Sequence, residues 1–101
     1  TMAAVARVLE RDESWAVRVL AARAVGRLGA AGAGAEASPE LVAVATRDPY
    51  ALVREAALES LASFDAAAAK VLAMRMAGTE PEPRVRDTAR AVAAGERPAG
   101  E

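Results

Sequence analysis

The sequence predicts an all-α fold, an α-solenoid (superhelix) of three helical hairpins with about six helices. The first observation is an internal repeat, because an acidic residue precedes a Val-Arg pair by the same spacing in residues 12–18, 48–54 and 80–86. Repeats 36 and then 32 residues apart are typical of stacked supersecondary units. The second is that small apolar residues follow each pair at helical intervals, and no segment alternates long enough to predict a strand.

The first hairpin is predicted from two apolar stripes. Val5, Val8 and Leu9 share one face of a helix over residues 2–10. Asp12 and Ser14 then offer side-chain oxygens that can cap a second helix. That helix is predicted to end at residue 29, where a glycine C-cap is expected. Its predicted core-facing stripe is Val17, Leu20, Ala21, Ala24, Val25 and Leu28.

The second hairpin follows a segment that is predicted to be a loop. Residues 29–37 contain three glycines and no apolar period. Ser38, Pro39 and Glu40 form a typical helix start, with a capping serine, a proline in the first turn and an acid at the positive end of the dipole. The third helix is predicted to run to about Thr46, and residues 48–49 start the fourth by the same logic. The predicted stripe of the fourth helix is Val53, Ala56, Ala57, Ser60, Leu61 and Phe64.

The third hairpin begins where Asp65 can cap an alanine-rich fifth helix that is predicted to end at Gly78. Pro81 and Pro83 predict a rigid turn, after which a sixth helix runs until Gly95. Its predicted stripe is Val85, Thr88, Ala89, Val92 and Ala93.

These elements predict one repeat domain over residues 1–95. Its three repeats cover about residues 2–28, 38–64 and 65–94. Residues 96–101 contain a proline and a glycine but no apolar stripe, and they are predicted to form a flexible tail.

Composition excludes several classes of site. Thirteen basic and fourteen acidic residues give a net charge of −1, so no overall field attracts a nucleic acid. The chain has no histidine and no cysteine, which removes the commonest general base and the commonest metal ligands. We therefore expect no enzyme activity, no cofactor and no metal. No apolar run is long enough to span a membrane and no leader is recognisable, so the chain is expected to be cytoplasmic.

The repeated residues resemble a known family. Asp48-Pro49, then Val53-Arg54, then Ala56-Ala57-Leu58 along a helix is similar to the HEAT repeat, especially the short bacterial type also found in phycobilisome lyase subunits. The resemblance covers residues 2 to 94, and it is partial in the third repeat, where Glu80 replaces the aspartate.

This resemblance implies a right-handed stack with the first helix of each pair on the convex side and the second on the concave side. It also implies that acids and arginines of the motif bridge successive repeats. We call this set the ladder, with Glu80 as its expected looser member. The ladder consists of Asp12, Arg18, Asp48, Arg54, Glu80 and Arg86.

Candidate partner-binding residues lie on the second helices and at their starts. Trp15 and Tyr50 are scarce large rings near the starts of two second helices, where exposed aromatic side chains commonly anchor partners. The alternative for Trp15 is a hydrophobic staple that covers the open end of the first repeat. Arg23, Glu55 and Glu59 are expected to face the concave groove and complete the contact set, and the alternative for these mixed charges is a plainly solvated surface.

The predicted function is a non-catalytic protein-protein interaction or scaffold module. One alternative is an accessory subunit of a chromophore lyase-type enzyme, which follows from the resemblance alone. A further alternative is a nucleic-acid-binding HEAT-like domain, which would need a basic concave strip. Because Val5, Val8 and Leu9 have no repeat before them, we also expect self-association through an end of the solenoid or attachment to a longer parent chain.

Overall fold

The computed structural model describes residues 1–96, and in this range the chain forms six α-helices and no strand. Residues 97–101, most of the predicted tail, lie outside the described range. The helices pair into three antiparallel hairpins, α1 with α2, α3 with α4 and α5 with α6. Their bounds are α1 Met2–Arg11, α2 Trp15–Leu28, α3 Gly34–Arg47, α4 Ala51–Ala62, α5 Ala66–Thr79 and α6 Pro83–Ala93.

The hairpins stack in one row. The second helices pack in sequence, α2 on α4 and α4 on α6, while the first helices pack as α1 on α3 and α3 on α5. The central helix α4 contacts helices of all three hairpins. Leucines and valines fill the layers between helices, and the largest fully buried side chains are Leu9, Leu41, Leu58, Leu61, Leu72, Val25, Val53 and Val85. The predicted stack of three hairpins is therefore confirmed.

The predicted stripe of α4 is also confirmed. Val53, Ala57 and Leu61 are fully buried, Ala56 and Ser60 are less than a tenth exposed, and Phe64 is half-buried against the core. A helix that has a hairpin on each side buries almost every apolar position that it offers.

The predicted stripe of α2 is wrong at two positions. Val17 is 38% exposed and Leu20 is 61% exposed, whereas Ala21, Ala22 and Val25 are buried. The reason is the place of the repeat in the stack. Within the described residues no hairpin precedes α1 and α2, so the face that α4 buries against its predecessor stays open in the first repeat.

The loop predicted over residues 29–37 is mostly helical. Gly29–Ala33 forms a wide helical turn with a reversal at Gly32, whose φ of 123° lies in the region that glycine favours, and α3 begins at Gly34. Gly29 is thus not a left-handed cap, since its φ is −60°. It leaves room for the Phe64 ring, because a Cβ on Gly29 would lie 2.6 Å from Cζ of Phe64 and would force the ring to move.

Ser38 does not start α3 as predicted. Pro39 lies inside the helix, and the Ser38 hydroxyl donates a hydrogen bond to Oδ2 of Asp65 at 2.6 Å. Asp65 caps α5 as predicted, since its Oδ1 accepts from the Ala68 amide at 3.1 Å. The Ser38 hydrogen bond, followed by the Ala68 amide, lowers the pKa of Asp65. Ser38 therefore connects α3 to the start of the next hairpin.

Candidate functional site

The two large aromatic side chains form a stacked pair on the surface. Trp15 is the first residue of α2, and Tyr50 immediately precedes α4. The ring centroids are 5.0 Å apart and the ring planes differ by 6°. Trp15 is 39% exposed and Tyr50 is 45% exposed, so both rings remain accessible. We call this pair the aromatic rim.

Carboxylates in the preceding turns hold the aromatic rim in place. Oδ1 of Asp12 accepts from the Ser14 amide at 2.8 Å, and Oδ1 of Asp48 accepts from the Tyr50 amide at 2.9 Å. Ser14 then caps α2 by accepting from the Val17 amide. The N-cap residues are therefore Ser14 of α2 and Tyr50 of α4. Asp12 and Asp48 lie two residues before these caps, and each carboxylate accepts from a backbone amide within the turn that leads into the helix.

The first rung of the ladder is the ion pair of Arg18 and Asp48, whose carboxylate also accepts from the Tyr50 amide. The Arg18 guanidinium donates from Nε to Oδ2 of Asp48 at 2.9 Å and from Nη2 to Oδ1 at 3.1 Å. Its Nη1 donates to the backbone carbonyl of Asp12 at 2.8 Å. The two charged side chains are 10% and 7% exposed, and the Asp48 hydrogen bonds raise the pKa of Arg18. Arg18 thus joins the turn of its own repeat to the turn of the next.

The second rung repeats this geometry. Arg54 donates from Nε to Oε2 of Glu80 at 3.0 Å and from Nη1 to the carbonyl of Asp48 at 2.9 Å. This pairing raises the pKa of Arg54 and lowers that of Glu80. Glu80 was expected to be loosely held, but it is only 5% exposed and also accepts from the Glu82 amide. The Glu80 side chain is longer than that of aspartate and still reaches the Arg54 guanidinium, because the turn that carries Glu80 bends so that the same carboxylate also accepts from the Glu82 amide.

The ladder is open at both ends. Nη1 of Arg86 donates to the carbonyls of Glu80 and Pro81, at 3.1 and 3.2 Å. No carboxylate within residues 1–96 accepts from the Arg86 side chain, and no arginine in this range donates to the carboxylate of Asp12.

The other predicted contact residues lie at different depths. Arg23 is exposed on α2, and Glu59 is half-buried on α4. Glu55 is 5% exposed, accepts from the Thr88 hydroxyl at 2.6 Å and pairs with Nε of Arg84 at 3.2 Å. Its carboxylate therefore joins α4 to α6, and the exposed group at this point of the surface is Arg84, which is 71% exposed.

Sequence reasoning missed a pair of carboxyl groups in a cleft between α1 and α3. The cleft has a volume of about 360 Å³ and includes Leu9, Glu10, Glu40, Val44 and Arg47 in its lining. Oε1 of Glu40 is shielded from solvent without a hydrogen-bond donor. Burial, and then the neighbouring Glu10 carboxyl, raises the pKa of Glu40 to about 7. Alignment of the repeats could have predicted that Glu40 faces the core, because the equivalent residue in the next repeat is the buried Leu72.

Residues 1–96 contain neither a metal-binding cluster nor a membrane-spanning helix. No group of three acidic side chains there converges in a way that could hold a metal ion. None of the helices in this part of the chain combines the length and the apolar character that a membrane span requires.

Comparison with known protein families gives a match that covers most of the chain. A family model described as HEAT repeats matches residues 2–94. No curated protein and no solved structure matches the chain. The match covers all three hairpins, and the bounds of the match agree with the first and last helices of the structure. The chain therefore belongs to the HEAT-repeat family.

Proposed function

We propose that this chain is a protein-interaction module that binds a partner protein along the face of α2, α4 and α6 and at the aromatic rim. HEAT repeats generally mediate protein-protein interaction or scaffolding. The observation that carries the proposal is the exposed stack of Trp15 and Tyr50 in a chain with only three aromatic residues. Large rings of this kind are enriched at the centres of protein interfaces.

The aromatic rim suits a binding role because hydrogen bonds fix the turn that carries Tyr50. The Asp48 carboxylate that accepts from the Tyr50 backbone amide is itself bound by Arg18, so the backbone beneath the ring is tied to a buried ion pair. A preorganised contact loses little conformational entropy on binding. The alternative for Trp15, a staple over the open end, finds less support, since its ring lies on Tyr50.

Charged side chains extend the proposed surface along the second helices. Arg23 on α2 and Arg84 at the start of α6 are both exposed, and Glu59 lies between them in sequence on α4. Mixed charges around an aromatic centre are typical of the polar rim of a protein interface. In this proposal the buried Glu55 carboxylate pairs with the Arg84 guanidinium and positions it, and Glu55 does not contact the partner directly.

The test is affinity capture from the native cell with the chain as bait, followed by mass spectrometry. The double variant Trp15→Ala, Tyr50→Ala is expected to lose partners that the unmodified chain captures. The matched control is Trp15→Phe, Tyr50→Phe, which retains two stacked rings and should retain the same partners. Capture of an identical set by the alanine variant, with its melting temperature unchanged, would reject the aromatic rim as the binding site.

A second readout follows from composition. Trp15 is the single tryptophan, so its fluorescence reports directly on the aromatic rim. Titration of an identified partner is expected to shift the emission of Trp15. The variants Arg23→Ala and Glu59→Ala then measure how far the surface extends along α2 and α4.

A further inference from the structure

The two ends of the hairpin stack carry features that complement each other. At the α1–α2 end, Val8, Val17 and Leu20 are 39%, 38% and 61% exposed. With Ala4, Val5 and Ala21 they line an open apolar groove of about 330 Å³. We call this surface the leading face. A soluble domain rarely leaves such a contiguous apolar surface uncovered without an interaction that uses it.

The repeat register shows what kind of structure covers an equivalent surface. The residues 36 positions after Val8, Val17 and Leu20 are Val44, Val53 and Ala56. These three are 7%, 0% and 4% exposed, and they lie on α3 and α4, the helices on which α1 and α2 pack. The leading face is thus the half of a HEAT-to-HEAT interface that receives the preceding hairpin.

The ladder also indicates that each end of the stack carries half of a repeat-to-repeat junction. Each internal junction contains one arginine of a second helix bound to the acid of the next repeat, Arg18 to Asp48 and Arg54 to Glu80. Beside the leading face, Asp12 is the acid at this position, and no arginine of residues 1–96 binds its carboxylate. At the opposite end, Arg86 is the arginine at this position, and it donates only to backbone carbonyls in the described range.

The α5–α6 end also offers apolar surface, which we call the trailing face. Met74 on α5 is 62% exposed. The residue 32 positions before Met74 is Val42, which is partly buried and packs on the core at an internal position. On α6, Arg90 occupies the position of the buried Leu58 and pairs with Asp87 at 3.4 Å. The trailing face is therefore less apolar than an internal junction.

We propose that copies of this chain associate head to tail, with the trailing face of one copy on the leading face of the next. Arg86 of one copy then binds Asp12 of the other and supplies a third rung of the ladder. Such a junction is heterologous, so association continues beyond the dimer. Because Arg90 interrupts the apolar surface, the association is reversible and depends on concentration.

The proposal is tested by sedimentation equilibrium of the full chain over a range of concentrations. The average mass is expected to rise with concentration past that of a dimer. Leu20→Glu, at an exposed position where folding is not at risk, should weaken association by about tenfold or more, while Leu20→Met should not. A chain that stays monomeric at high concentration overturns the proposal, and so does an assembly that stops at two copies.

Charge reversal tests the pairing of the two ends. Asp12→Arg places two arginines at the junction, and Arg86→Glu places two acids there, so each variant alone is expected to be monomeric. An equimolar mixture regains association, because the unmodified Arg86 of one variant meets the unmodified Asp12 of the other. Circular dichroism confirms that each variant is folded. A mixture that sediments as two separate monomers, or an Arg86→Glu variant that associates normally, contradicts the head-to-tail junction.

Discussion

Arg54 shows how much of the connection between repeats depends on single side chains. Its guanidinium holds the carbonyl of Asp48 in its own turn and the carboxylate of Glu80 in the next. The Arg54 and Glu80 side chains are only 13% and 4% exposed. Removing one partner of such a buried pair leaves the other charge without compensation.

Arg54→Ala is expected to lower the free energy of unfolding by about 3 kcal/mol at neutral pH, which urea unfolding measures. The matched control, Arg23→Ala on the surface of α2, should change it by less than about 0.5 kcal/mol. The pKa of Glu80 is lowered by Arg54, so this stabilisation is present at neutral pH and is lost as the pH falls below 4.5 toward the folded value. Equal stability of Arg54→Ala and the unmodified chain at neutral pH would show that the ladder does not hold the repeats together.

Part of the candidate site could be predicted from single residues and part could not. The resemblance to HEAT repeats, carried by the repeated spacing of acid and arginine, implied which side chains meet. The stack of Trp15 on Tyr50 could not be derived in this way. The two residues occupy positions that differ by one in the repeat, and only the path of the two turns brings the rings together.

At the scale of elements, the packing of α1 on α3 includes an unfavourable contact. Glu40 of α3 faces the cleft beside Glu10 of α1, where the other two repeats carry Ala4 and Leu72. Its pKa of about 7 lies above the unperturbed value of 4.5. The folded chain therefore binds more protons than the unfolded chain between these values, and stability falls as the pH rises from 4.5 to 7.

Glu40→Gln is expected to remove this pH dependence. At pH above 7 it should raise the free energy of unfolding by about 1 kcal/mol after solvent screening is allowed for, which corresponds to a rise in melting temperature of roughly 4–8 °C. Near pH 4.5 it should have little effect. Glu36→Gln, at an exposed position earlier in α3, is the matched control and should change the free energy of unfolding by less than about 0.5 kcal/mol at each pH. A Glu40→Gln variant that melts at the same temperature as the unmodified chain at high pH would contradict this account of the cleft.

Helix starts were predictable where a side chain acts locally and not where tertiary packing decides. Asp65 caps α5 as its sequence context indicates. The start of α3 was missed because the sequence shows three glycines between residues 29 and 37. Phe64 of a distant helix end packs on Gly29 and fixes this segment as a wide turn, after which Ala35 and Ala37 continue the helix.

At the scale of the whole molecule, the place of a repeat in the stack decides how far a given repeat position is buried. Val17, Val53 and Val85 occupy the same position in three repeats, and Val53 and Val85 are fully buried while Val17 is 38% exposed. Each valine precedes an arginine and is followed by small apolar residues at helical intervals, so the pattern predicted burial for all three. The difference arises from the presence or absence of a preceding hairpin.

The unfolding free energies of Val17→Ala, Val53→Ala and Val85→Ala, measured by urea titration at low protein concentration, test the stacked register most directly. Val53→Ala and Val85→Ala should each lower the free energy of unfolding by about 2 kcal/mol, since each removes two buried methyl groups and leaves a cavity. Val17→Ala should lower it by less than about 0.5 kcal/mol in the monomer. Equal losses at all three positions, or the largest loss at Val17, would contradict a row of equivalent hairpins with an open leading face.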